Sequence, residues 1–314
     1  MPSSTLVASA EERRATERRR AALLRWAPPA VYLVALGLAV GFRGLPTSRD
    51  ALFLWILLGL LAGSFANPRR WVRGVALEWL PFGAALFAYD ALRGSADSLF
   101  AAHIQPQLRA DEILFGGTAP TVWLQQRLWD RPGAIDWLDW ASWAVYLTHF
   151  FATLLVAAGL WLVGSRVFRR YIAAVAVLAA MGVATYALFP AAPPWLASEL
   201  GDLQPTERIV HDVSAAAPFD FFGAVWERGA QYANDVAAVP SLHAAYALLV
   251  TLILWPLVGR WWRIPLAAYP LAMAFALVYT AEHYVVDVLL GWVYAVAAFM
   301  AVAAGARLLA RRRA

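Results

Sequence analysis

Eight stretches of the chain are apolar enough to read as helices at membrane depth. They lie at about residues 28–43, 51–66, 73–93, 139–163, 171–189, 241–259, 264–281 and 284–306. A membrane-spanning helix needs about 20 predominantly apolar residues. The first two stretches are short, so they read either as two spans or as one span and one interfacial helix. The pattern predicts an all-α, polytopic membrane helix bundle of about eight transmembrane helices. Six of them lie in a main membrane domain at 71–306, and residues 28–70 supply accessory helices. A basic segment at 1–27 precedes them and a basic tail at 307–314 follows.

The polar boundaries between these stretches alternate in charge. Arg13 to Arg25 precede the first stretch. Arg69, Arg70 and Arg73 follow the second; Arg166, Arg169 and Arg170 follow the fourth; Arg260 and Arg263 follow the sixth; Arg307 and Arg311 to Arg313 follow the eighth. Basic residues in short boundaries mark the cytoplasmic side. The alternation therefore predicts that both termini are cytoplasmic and that the other boundaries face outward from the plasma membrane. Two outward boundaries are long, at about 94–138 and 190–240. Their Trp123, Trp129, Trp137, Trp140, Trp195 and Trp226 suit the headgroup level, where amphipathic rings settle. Thr121 to Trp129 carry an apolar stripe at helical spacing, which predicts an interfacial helix in that outer loop.

Composition sharpens the class. Hydrophobic residues make up 61% of the 314 and charged residues 15%, whereas soluble domains are about 45–50% apolar. The chain has no cysteine, which excludes disulfides, thiolate catalysis and Cys-based metal sites. All 26 of its Lys+Arg residues are arginine and the net charge is +5. In a membrane protein that charge reports topology first, not a nucleic-acid partner. The N-terminal run Arg18-Arg19-Arg20 is followed by no convincing small-residue cleavage site. It reads as a cytoplasmic anchor at anionic headgroups, not as a signal peptide.

The candidate chemistry sits at the mouths of two apolar stretches. His283 and Asp287 are four residues apart, so on a helix they share one face. A carboxylate there orients an imidazole and raises the basicity of its other nitrogen. The pair alone reads equally well as a buried ion pair that packs helices. His243 adds to it. The predicted topology places His243, His283 and Asp287 at one membrane surface, although forty residues separate the two histidines. Ser241 stands at a helix N-terminus, where free N–H groups and the helix dipole favour an anion such as phosphate. Asp90 and Arg93 read as an ion pair or as headgroup contacts. His149 lies well inside the fourth stretch, as a core histidine or a site residue. His103 and His211 read as surface residues and Glu282 as a boundary residue. Asn234 and Asp235 are placed to cap or line a pocket.

Pro240-Ser241-Leu242-His243 and His283-Tyr284-Val285-Val286-Asp287 resemble the second and third signature motifs of the type 2 phosphatidic acid phosphatase superfamily. Phe189 to Trp195 resemble the first-motif region of its inositol phosphorylceramide synthase-like branch. Asp111-Glu112-Ile113-Leu114-Phe115-Gly116-Gly117 fits an outer-loop pattern of that branch. The resemblance covers about residues 75–300. It implies that His283 attacks phosphorus, that Asp287 orients it, and that His243 acts as acid and then base. It implies no metal and no cofactor. The expected partners are a phospholipid donor, a lipid or glycan acceptor and the bilayer. Ser241, Asp90, Arg93, His149 and Trp195 are the candidate substrate contacts.

Two departures bear on function. The phosphatase branch carries an Arg six residues before the third-motif His, where this chain has Leu277. Its second motif usually has Gly where this chain has Leu242. Other cations must balance the phosphate, with Arg93, Arg109, Arg127, Arg131, Arg208 and Arg228 as candidates. The missing cations favour transfer of a phosphoryl headgroup, possible donors including phosphoinositol lipids. Hydrolysis of phosphatidate or a polyprenyl phosphate remains open. So does a non-enzymatic lipid transporter, in which the histidines are structural.

Overall fold

The computed structural model describes residues 3–43, 49–65, 68–93, 100–129, 134–217 and 234–312. Its regular elements are helical. Extended pairing among the described residues is limited to two isolated bridges, His103 to Ala191 and Ala191 to Ala237. The chain forms two compact units, residues 1–81 and 82–314.

In the first unit the basic N-terminal segment and the first apolar stretch are one helix, α1 (Ser3–Arg43). It packs on α2 (Arg49–Gly63). Tyr32 donates its hydroxyl to the Trp55 carbonyl at 3.0 Å. Gly59 makes room for the Tyr32 ring, which a Cβ there would meet at 2.9 Å. Helix α3 (Pro68–Gly74) follows and runs into a π-helical turn at Val75–Trp79.

The second unit is a bundle of α4 (Leu80–Arg93), α7 (Trp137–Val163), α8 (Ser165–Leu188), α11 (Leu242–Leu254), α12 (Arg263–Tyr279) and α13 (Val285–Arg311). The long boundaries hold α5 (Gln105–Leu114), α6 (Pro120–Leu128), α9 (Pro194–Glu199) and α10 (Ile209–Ala216). Helix α7 begins at a capping box. Asp136 accepts from the N–H groups of Leu138 and Asp139, and Asp139 accepts from the Asp136 N–H. This satisfies donors that a helix start leaves free. A helix forms where the stripe at 121–129 predicts one. Its Thr121, Val122 and Gln125 are buried, and it packs on α12.

Among the described residues, six helical segments have the length and hydropathy to span a bilayer: 25–42, 71–93, 137–163, 166–188, 260–279 and 285–311. Two of the eight predicted stretches form shorter apolar helices, Ala51–Gly63 and Leu242–Leu254. The second of these, α11, has 13 residues, about 20 Å at 1.5 Å per residue. It packs against α7, α8, α12 and α13. A helix apolar on every side is a core helix, and most of α11 is buried.

Lipid tails are as apolar as leucine, so helices in a membrane associate by close packing of small residues. Ala244, Ala245 and Ala247 of α11 and Gly291, Ala295 and Ala298 of α13 are all buried. The tightest approach is at Gly291, where a Cβ would stand 2.2 Å from the Ser241 carbonyl oxygen. The Ser241 N–H donates to the Asp287 carbonyl at 3.0 Å. The start of α11 is thus stitched to the first turn of α13.

Gly291→Ala places a methyl against backbone, which cannot rotate away. Overpacking of this kind costs about 1–3 kcal/mol. The variant is expected to lower the thermal unfolding midpoint in detergent by several degrees. Gly305→Ala, whose Cβ meets nothing within 4 Å, is the control and is expected to leave the midpoint in place.

Candidate active site

The turn from α12 into α13 sets the geometry. The Leu277 carbonyl accepts from the N–H groups of both Glu282 and His283. Between them Ala281 adopts φ 63°, a left-handed conformation that non-glycine residues rarely take. Such strain gathers at functional turns. Helix α13 then starts on two carboxylates. Asp111 of α5 accepts from the Val285 and Val286 N–H groups, each at 2.9 Å. Asp287 accepts from the Tyr284 N–H at 2.9 Å. Both satisfy the open donors of the helix start and its positive dipole end.

His283 is held at this clamp. Its Nδ1 lies 3.5 Å from Asp287 Oδ2, which leaves Nε2 as the nitrogen directed away from the carboxylate. His283 is buried and Asp287 is fully enclosed. The His243 ring, at the start of α11, stands 5.6 Å from the His283 ring between centroids. The structure therefore brings His243, His283 and Asp287 into one place. Helix α7 closes the other side of His243. Tyr146 stacks on it at 5.0 Å and 22°. His149 lies at 4.0 Å and Phe150 at 6.3 Å. These three share a helix face by their spacing.

Two arginines approach the site from different elements. Arg208 donates from Nε to Glu282 Oε1 at 2.7 Å and from a terminal nitrogen to Oε2 at 3.4 Å. Its guanidinium sits 4.2 Å above the Trp195 ring. Burial works against the Arg208 charge, but the Glu282 carboxylate outweighs it and raises the pKa. Gln125 fixes the adjoining backbone, bonding Glu207 through both its N–H and its carbonyl and reaching the Tyr279 carbonyl at 2.8 Å. Arg93 ends α4 beside Tyr89 and Asp90, with its guanidinium 5.8 Å from the Tyr89 ring. Asn234 donates to the Arg93 carbonyl at 2.9 Å.

Other sequence candidates take different places. Ser241 is fully buried, and its hydroxyl accepts from the Ala244 N–H of its own helix. Where the sequence suggested a phosphate contact, this hydroxyl caps α11. Trp195 is buried beneath Arg208. Arg109 is exposed, and exposed Arg127 lies over the Trp123 ring. Arg131, Arg228 and Trp226 fall outside the described residues. Leu277 is fully buried in the core, and Leu242 packs where a Gly182 Cβ would stand. His211 is exposed. His103 is exposed too, but its ring stacks on Phe189 at 4.2 Å. Among the described residues no three His, Asp or Glu side chains converge as a metal site requires.

Asp111, Glu282 and Tyr146 gained no site role from sequence. Asp111 stood in a recognised pattern, and its signal was a carboxylate in an apolar-flanked outer helix. Glu282 adjoined the histidine but had no visible partner. Tyr146 looked like one more aromatic in an apolar stretch.

A family model described as the PAP2 superfamily matches residues 113–301, more than half of the chain. A protein of Bacteroides thetaiotaomicron named phosphoinositol dihydroceramide synthase is 37% identical over 120 residues. That alignment covers 35% of this chain and 37% of the relative, so the chain matches well under half of the relative's length. No solved structure matches the chain significantly.

The Asp111 clamp is testable by pH. Burial, the largest influence, pushes the Asp111 carboxyl up to about 6, against the pull of its two N–H donors. A carboxyl raised in the folded chain binds its proton more tightly there. Its contribution to stability is present below the ordinary carboxylate range and is lost as pH rises through about 6. Asp111→Asn has no such proton. Its thermal midpoint should change less than the wild type's between about pH 4 and pH 6. One amide oxygen must also serve two donors, so turnover at neutral pH is expected to fall by about tenfold or more as His283 drifts.

Proposed function

The chain belongs to the PAP2 superfamily, and from that premise we propose that it is a membrane-embedded lipid phosphotransferase. It moves a phosphoryl headgroup from a phospholipid donor to a lipid or glycan hydroxyl through a phosphohistidine. The name of the Bacteroides relative supports phosphoinositol as the headgroup and a ceramide-type hydroxyl as the acceptor.

His283 Nε2 attacks phosphorus, and the bond from phosphorus to the donor's glyceryl oxygen breaks. His243 gives its proton to that leaving oxygen. In the second half the acceptor oxygen attacks phosphorus, and the N–P electron pair returns to Nε2. His243 takes back a proton from the acceptor hydroxyl. Splitting one displacement into two, with one histidine as acid and then base, is ordinary covalent catalysis. Asp287 holds Nδ1 and stabilises the charge that develops on His283.

The charge inventory carries the choice of transfer over hydrolysis. Of the candidate arginines among the described residues, Arg93 and Arg208 are partly buried, while Arg109 and Arg127 are exposed. Each already faces a carboxylate, Asp90 and Glu282 respectively. A phosphomonoester carries about −1.5 to −2 near neutral pH, whereas a phosphodiester carries a single charge. Two partly neutralised arginines suit the diester, the kind of donor that a transferase uses. Leu277 puts hydrocarbon where the phosphatase pattern has a third cation.

Purified protein given labelled phosphatidylinositol and ceramide is expected to form labelled phosphoinositol ceramide. His283→Ala and His243→Ala should each lower the rate by at least about a thousandfold. Release of inorganic phosphate from phosphatidate, with no headgroup transfer, would establish the phosphatase instead. Activity that survives both substitutions would make the histidines structural.

In the proposed topology the termini are cytoplasmic and the site faces outward from the plasma membrane. The chain has no native cysteine, so a single introduced one reports unambiguously. Gln204→Cys, at an exposed position, should react with an impermeant maleimide on intact cells. Reaction only after lysis would place the site in the cytoplasm.

A further inference from the structure

We propose that His149 is a positioning residue for the acid–base group. Its ring packs on His243 and holds that imidazole in line with the oxygen that leaves phosphorus. This role rests on the phosphohistidine reading above and adds a residue to it.

His149 and His243 come from different helices, α7 and α11, and their ring centres are 4.0 Å apart at a tilt of 41°. An in-plane N–H···N bond of about 2.9 Å would hold two imidazole centres about 5 Å apart. The contact is therefore made across a ring face, not through a shared proton. The same His149 ring lies 5.6 Å from Tyr246, which shares a face of α11 with His243 by its spacing. Phe150 stands edge-on to His149 at 5.3 Å and 86°. His149 is thus seated against two neighbouring positions of α11. His243 itself is only partly buried, so packing on its ring leaves an edge for substrate.

The chemistry needs such a seat. A general acid must stand within hydrogen-bond reach of the oxygen that it protonates. An imidazole at the first turn of a helix has two side-chain torsions to fix, and a small misplacement costs rate steeply. A polar ring inside a membrane helix is expensive, and packing alone would be met by hydrocarbon. When His243 carries its proton, a neutral His149 face against it is a favourable contact for a cation. Like-charge repulsion disfavours charging both rings.

The test compares two donors in His149→Ala. One is labelled phosphatidylinositol, whose glyceryl oxygen must be protonated as it leaves. The other is p-nitrophenyl phosphoinositol, whose p-nitrophenolate leaves without a proton. With phosphatidylinositol and ceramide, kcat is expected to fall by about a hundredfold, within the range that general acid catalysis supplies. The donor KM should stay within about twofold. The burst of p-nitrophenolate should slow by less than about threefold, because no acid is needed in that half-reaction. The ratio of the two rates in one preparation does not depend on the folded fraction. His149→Phe keeps a ring face on His243 and should recover most of the lost rate. The double variant His149→Ala/His243→Ala should be no slower than His243→Ala, as expected of residues that act as a unit. Equal slowing with both donors, an unchanged kcat in His149→Ala or an additive loss in the double variant overturns the proposal. Full activity in His283→Ala would instead overturn the phosphohistidine reading itself.

Discussion

The first turn of α13 is the constraint on which the site depends. Four groups from residues 283–286 meet two carboxylates there. Asp111 takes the Val285 and Val286 N–H groups, and Asp287 takes the Tyr284 N–H and lies 3.5 Å from His283 Nδ1. A free helix start attracts anions. Here two protein carboxylates occupy it, so the dipole is used to hold the helix and the histidine, not a ligand. Asp287 thus acts on both the backbone and the imidazole. Removing it changes the position of His283 as well as its charge.

The second requirement is that α11 come close enough to bring His243 to that turn. Hydrocarbon does not drive helices together in a bilayer. Contact comes from Gly291, whose missing Cβ admits the Ser241 carbonyl, and from the bond between the Ser241 N–H and the Asp287 carbonyl. The hydroxyl of Ser241 caps α11 in the same corner. A 13-residue helix is too short to span alone, but it needs no lipid contact when four neighbours surround it. The turn before α11 therefore serves mainly to dock two helix starts side by side.

Legibility in the sequence followed the range of the interaction. The apolar stretches and the His283–Asp287 spacing are local patterns, and they were readable as such. His243 joined them through the alternation of arginines, a long-range rule that acts on whole boundaries. Contacts made by returning loops left no such trace. Asp111 reaches α13 across 174 residues of chain. Arg208 meets Glu282 across 74, and only because Gln125 ties the intervening loop to the end of α12. Arg208 was one of six equivalent arginines until the fold placed it. Ser241 was ambiguous for a different reason. A hydroxyl at a helix start serves equally as an anion ligand or as a cap, and sequence does not distinguish the two.

The proposed transfer leans on the pairing of the arginines more than on any motif letter. Leu242 looked informative because it departs from the phosphatase pattern, yet it packs beside Gly182, and that contact is between hydrocarbon and backbone. Leu277 is the other departure: its side chain is hydrocarbon buried in the core, and its carbonyl anchors the turn that carries His283. The arginines that remain come from α4 and from the loop before α10, and each arrives with its own carboxylate. His283 and Asp287 are also largely closed to water, so an acceptor hydroxyl presented by a lipid meets less competition at phosphorus. The proposed exchange of one oxygen ester for another rests on these two features, Arg208 paired with Glu282 and a histidine and carboxylate enclosed by the bundle.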